Sequence, residues 1–103
     1  MKGMNEMLRQ AQIMQRKMTE AQDGLKTREV EATSGGGMVT VKVTGAQEVT
    51  EVRIEPSVVE AGDVEMLQDL VMTAANEALK KSKEMMEEAM KGVTGGISIP
   101  GMF

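Results

Sequence analysis

The sequence predicts an α+β fold in the order α-β-β-β-α: a three-stranded antiparallel sheet between two long helices, dimerising through the sheets. Three observations carry this reading. Apolar residues recur at alternating steps of three and four from Met4 to Leu25. Val39, Val41 and Val43 alternate with Thr40, Lys42 and Thr44. Gly or Pro marks most places where the period changes, so each apolar run has an end as well as a pattern.

The first helix is expected over about Met4 to Lys26. Met4, Met7, Ala11, Met14, Met18, Ala21 and Leu25 form an a/d seam. The residues between them are mostly Gln, Arg, Lys and Glu, which are good helix formers. A seam this narrow asks for one partner helix, not for burial all round.

Three strands follow. Glu29 to Ser34 places Val30 and Ala32 on one face, and Gly35-Gly36-Gly37 interrupts it. Met38 to Thr44 alternates cleanly, and Gly45 to Gln47 makes the next turn. Val49 to Glu55 is the third strand, with Val52 and Ile54 facing in. Val49 is out of phase with these two, which predicts a bulge between them. Pro56 closes the meander.

Pro56 to Gly62 reads as a connector with one helical turn. Asp63 is the expected N-cap of the second long helix, with Glu65 in its first turn. That helix is expected to run to about Lys91 and to stop at Gly92. Its apolar side comprises Leu67, Leu70, Val71, Ala74, Ala78, Met85, Ala89 and Met90, with Lys80, Lys81 and Lys83 on its outer surface. Residues 1–92 form one domain, and 93–103 are expected to be a mobile tail containing Gly95-Gly96 and Pro100-Gly101.

Composition narrows the function. The 103 residues contain one aromatic, Phe103, and twelve Met, which fill space but specify packing weakly. Such a chain is short of core, and a second copy is the simplest source of apolar partner surface. Cys and His are absent, which excludes a disulfide framework, a zinc finger, thiolate chemistry and imidazole acid–base work. The N-terminal residues are too polar for a signal peptide, and no run has membrane-spanning length; the expected location is cytoplasmic, with no membrane partner.

Few candidate sites survive inspection. Gly35-Gly36-Gly37 resembles a phosphate cradle only in composition, because a strand follows it and no Lys-Ser/Thr pair opens a helix there. It reads as a hairpin turn. Glu84, Glu87 and Glu88 lie on one helix with nothing to converge them on a metal and read as a solvated face. The serines have no recognisable base. No catalytic residue, metal site or cofactor is expected.

The basic residues of the first helix are different. The formal net charge is −4, yet residues 2–28 carry six basic side chains against three acidic ones. Arg9, Arg16 and Lys17 fall outside the seam, among Gln10, Gln12 and Gln15. They read equally as a solvated face or as a surface that contacts phosphates, and spacing does not separate the two. The lack of aromatics for base stacking argues against single-stranded nucleic acid.

The run Gln10 to Gln15 (QAQIMQ), the turn Gly35-Gly36-Gly37-Met38-Val39, Ile54-Glu55-Pro56, Leu70 to Leu79 (LVMTAANEAL) and Thr94-Gly95-Gly96 followed by Pro100-Gly101 together resemble the YbaB/EbfC nucleoid-associated proteins. Each is weak alone, but their order and spacing cover nearly the whole chain. The resemblance implies a bacterial, cytoplasmic homodimer that binds double-stranded DNA between projecting helices, with a role in nucleoid organisation or gene regulation. It implies no active site. It places the DNA contacts on the helices, here Lys2, Arg9, Arg16 and Lys17, with Lys83 and Lys91 near the end of the second. The alternative is a protein–protein adaptor, its Met-rich arms or the Ile97-to-Phe103 tail docking a recombination or replication protein.

Overall fold

The computed structural model describes the backbone of residues 2–94 and the side chains between them. The elements are α1 (Lys2–Leu25), β1 (Glu29–Ser34), β2 (Val39–Thr44), β3 (Val49–Ile54), the short α2 (Pro56–Glu60) and α3 (Val64–Thr94). The order is the expected one.

The strands form an antiparallel meander in the order β1-β2-β3. Glu29 pairs with Thr44 and Ser34 with Val39 across the first hairpin. In the second, Lys42 pairs with Glu51 but Val43 with Val49, so Thr50 is the extra residue of a bulge. The bulge returns Val49 to the face that carries Val52 and Ile54. Thr50 is held there by its hydroxyl, which donates to Glu29 Oε2 at 2.9 Å. In the first turn Gly35, Gly36 and Gly37 all have positive φ, and the Gly37 N–H donates to Ser34 O. The triglycine is a hairpin loop.

The core is small and made of small residues. Val39, Val41, Val43, Ala32, Ala74 and Ala78 are buried together, the valines completely. Ala74 and Ala78 let α3 lie close to β1 and β2, and each buried valine contributes about 1.5–3 kcal/mol. Two serines pin the helix across the sheet. Ser34 Oγ donates to Leu70 O at 2.6 Å near its start, and the fully buried Ser82 Oγ donates to Thr44 O at 2.7 Å further along. Asp63 caps α3 as expected, its Oδ1 accepting the Met66 N–H at 3.0 Å.

Two sequence expectations are corrected. Gly92 does not stop α3, which continues to Thr94; one glycine late in a helix costs only about 1 kcal/mol and does not end it. The third strand faces the expected way but is not covered. The helix packs on β1 and β2 and leaves β3 aside, so Val49 and Val52 remain 52% and 48% exposed. Of the tail expected at 93–103, Val93 and Thr94 are helical, and the rest lies outside the described residues.

The first helix packs chiefly against α3 and scarcely touches the sheet. Its end is fastened at the β2–β3 turn. The Gly45 N–H is shared between Leu25 O at 3.0 Å and Arg28 O at 2.9 Å, and Leu25 is buried against the turn. A Cβ on Gly45 would sit 2.7 Å from Leu25 Cδ2, so only glycine permits this approach. Thr44 and Gly45 therefore bring Ser82 and Leu25 to one place. From there both helices leave the sheet together, antiparallel. Met85, Met86, Ala89, Met90 and Val93 of α3 are half-buried, as are Ile13, Met14, Met18 and Ala21 of α1. The two stretches, 82–94 and 13–25, are each about 18 Å long. Beyond Ile13 the shielding ends, and α1 continues as a single arm. The molecule measures 72 × 24 × 16 Å, with a radius of gyration of 19.6 Å. A compact chain of this length would have about 13 Å.

Candidate nucleic-acid interface

On an α-helix, residues seven apart lie within about 20° of one line and about 10.5 Å apart along the axis. The backbone positions Lys2, Arg9 and Arg16 follow this spacing. Arg9 and Arg16 border a shallow groove floored by Gln12 and Ile13. Lys17 stands beside Arg16, about 100° round the helix. The seam of Met7, Met14 and Met18 is on the opposite side, about 160° away. Packing the seam on α3 therefore turns the basic line to solvent.

Arg9, Arg16 and Lys17 are all exposed. Arg9 comes within 3.7 Å of Glu6, a loose pair at the surface with little energetic weight. Arg16 and Lys17 form no ion pair among the described residues. An arm held on one side only, with cations on its free side and glutamines between them, can lie along a row of phosphates without rearranging.

Lys83 and Lys91 are exposed on the part of α3 that runs beside α1. They are eight residues apart, about 12 Å along the helix. Glu84, Glu87 and Glu88 surround them, so this stretch has no net positive field. At the base of the arm Arg28 and Lys81 meet Glu84 and Glu88 around a second shallow depression. Lys81 Nζ also donates to Glu31 O, 3.0 Å away on β1. The structure thus separates the predicted site into a basic line on α1 and a mixed surface on α3.

The outer face of the sheet is also mixed. Glu51 accepts a hydrogen bond from Arg53 at 2.8 Å, with Lys42 at 3.8 Å. The Arg53 hydrogen bond, and then the charges of Lys42 and Arg53, hold the Glu51 carboxyl below its ordinary range; Glu51 in turn raises the Arg53 guanidinium. No group of three or more metal-ligating side chains occurs among the described residues. No described helix is long and apolar enough to cross a membrane.

Sequence reasoning missed the fastening of the arm. Gly45 was legible as a turn residue, but its contact with Leu25 joins positions twenty apart and has no local signature. A sheet with little cover was expected; that β3 is the strand left bare follows from α3 resting on β1 and β2.

Comparison with known proteins gives the fold and the family. A nucleoid-associated protein of Alkaliphilus metalliredigens is 52% identical over 101 residues, covering 98% of this chain and 89% of its own. One from Clostridium acetobutylicum is 48% identical over 100 residues, covering 97% and 89%. The solved structure of an uncharacterised protein of Helicobacter pylori matches with a TM-score of 0.72 at 28% identity, over 80% of this chain and 86% of that one. The names of the first two relatives are those of nucleoid-associated proteins, which points to a non-enzymatic protein. The model of the YbaB/EbfC DNA-binding family matches residues 1–97, and with relatives this similar along almost the whole length, the chain belongs to that family.

Proposed function

We propose that the chain binds double-stranded DNA as a homodimer whose α1 arms project like the jaws of tweezers, and that it serves nucleoid organisation or gene regulation in the bacterial cytoplasm. The observation that carries this reading is the arm itself. It is a helix half free of the body, with Arg9, Arg16 and Lys17 on its solvent side and Lys2 in register, on a chain otherwise acidic. Lys83 and Lys91 are proposed as secondary contacts.

The dimer is supported by surface that a monomer wastes. The chain exposes 7477 Å², whereas a compact protein of its mass exposes about 5,700 Å². Val49 and Val52 lie open beside half-buried Ile54, Leu67, Leu70, Val71, Ala75 and Leu79. A second copy placed on this face by a two-fold axis would cover the valines of both β3 strands.

The dimer carries a formal charge of −8, twice that of the chain. Binding must therefore be local to the arms, modest in affinity and steep in salt. Arg9, Arg16 and Lys17 of both protomers give six phosphate contacts, hence a slope of log K against log[salt] of about −5, and steeper where Lys2 also engages. Fluorescence anisotropy with a random-sequence duplex at low and physiological salt tests this. The triple variant R9E/R16E/K17E should abolish binding while remaining dimeric. Binding that persists in it, or wild-type protein that fails to bind at low salt, overturns the reading.

A further inference from the structure

The methionines of this chain are placed unevenly. Among the described residues, nine half-buried side chains join α1 to α3 along the arm, and five of them are Met14, Met18, Met85, Met86 and Met90. The buried cluster under α3 and the side chains packed on it are Val, Ala, Ile and Leu, with no methionine among them. The body is therefore closed with hydrocarbon, and the arm with thioethers.

Spacing makes the five act together. Met14 and Met18 are four apart on α1, as are Met86 and Met90 on α3, so each pair shares one face of its helix. Leu25 and Ser82 meet at the base of the arm, on the β2–β3 turn. At equal rise from there, Met18 is about level with Ala89 and Met90, and Met14 with Val93. Half-burial leaves these side chains within reach of a solute as small as peroxide. With Cys, His, Trp and Tyr absent, the thioether is the first side-chain group that a mild two-electron oxidant attacks.

We infer that Met14, Met18, Met85, Met86 and Met90 form a reversible oxidation site: a hydroperoxide converts their thioethers to sulfoxides and so releases α1 from α3. In each step the sulfur lone pair attacks the peroxide O–O bond. The S–O bond forms as the O–O bond breaks, and hydrogen peroxide leaves one water. A methionine sulfoxide reductase with a dithiol reverses this, giving thioether, disulfide and water. A sulfoxide oxygen requires a hydrogen-bond donor, and the Met, Ala, Ile and Val side chains of the seam offer none. The oxidised seam is satisfied only when water enters it. A helix owes most of its stability to its packed face, so α1 frays as it parts from α3. Arg9 and Arg16 share a line only while that helix persists. The consequence for DNA binding rests on the function proposed above, whereas release of the arm does not.

The test treats the full-length chain with hydrogen peroxide and locates sulfoxides by peptide mass mapping. Limited trypsin digestion reads the arm: cleavage after Arg16 and Lys17 should quicken roughly tenfold or more once the seam is oxidised. The variant M14L/M18L/M85L/M86L/M90L replaces thioethers by hydrocarbon of similar volume and helix propensity. It should keep its arm protected through the same treatment, although the exposed Met4, Met7, Met38, Met66 and Met72 are oxidised. Methionine sulfoxide reductases acting on oxidised wild type should restore protection, and duplex affinity by anisotropy should fall and return with it. Three results would overturn the inference: seam methionines that stay reduced while Met4 and Met7 are fully oxidised, unchanged cleavage with the seam oxidised, or equal loss of protection in the five-leucine chain. Should that chain not fold, the reductase experiment decides, and protection that does not return overturns the inference. A reduced chain that never binds duplex would refute the proposed function, while the trypsin result would still decide the oxidation site.

Discussion

Replacing Val52 by Asp should dissociate the proposed dimer and leave the protomer folded. Val52 is 48% exposed and Val49 52%, because α3 lies over β1 and β2 only. Complete burial of a valine is worth about 1.5–3 kcal/mol, so covering the open half of each adds about 1 kcal/mol. By two-fold symmetry the two valines of both copies contribute about 4 kcal/mol to association. V52D removes about half of this and adds one carboxylate from each copy to an apolar contact, where an unpaired charge costs several kcal/mol. A net loss of about 3 kcal/mol or more raises the dimer dissociation constant by about 100-fold or more. Sedimentation velocity across a concentration series measures the constant, and far-UV circular dichroism confirms the fold. A dimer of unchanged affinity would refute the placement of the partner on this face, and an unfolded protomer would show that β3 has a covering within the chain.

Other outcomes follow from the same geometry. Gly45→Ala should destabilise the chain by about 1–3 kcal/mol through overpacking against Leu25, lowering Tm by several degrees in a thermal melt and weakening DNA binding with the arm unfastened. Ser82→Ala removes one buried hydrogen bond; because Thr44 O also accepts from the Gln47 N–H at 3.0 Å, the cost should stay near 1 kcal/mol by urea unfolding. With no histidine in the chain, DNA affinity measured between about pH 5.5 and 6.5 should show no inflection. In the acid limb the sign is set by Glu51, whose carboxyl is held low by Arg53. Its small contribution is present above the unfolded carboxylate value and is lost as pH falls through the lowered folded value. E51Q should therefore flatten the acid limb slightly, as followed by circular dichroism.

Local pattern made the elements legible. The seam from Met4 to Leu25, the valines of β2, the phase break at Val49 and the cap at Asp63 each depend on neighbours a few residues away, and each appears where expected. The ends were less legible. Gly92 reads as a stop because glycine is a poor helix former, yet α3 keeps its backbone hydrogen bonds through it. The candidate site was half legible: the sequence shows that Arg9 and Arg16 share a line, which is a consequence of helical period alone. It does not show which side of the arm is free.

The amino-acid sequence by itself therefore determined the α-β-β-β-α order, the turn chemistry and the uneven charge, because all three are set by local period and composition. Only the tertiary structure decided that α3 rests on β1 and β2 and leaves β3 bare. Only it showed that α1 leaves the sheet to form an arm, with its basic line outward. Those outcomes depend on how closely two alanines let a helix approach a sheet, and on a glycine that meets a leucine twenty residues away. Such contacts are distances between parts of the chain, and no local period encodes them.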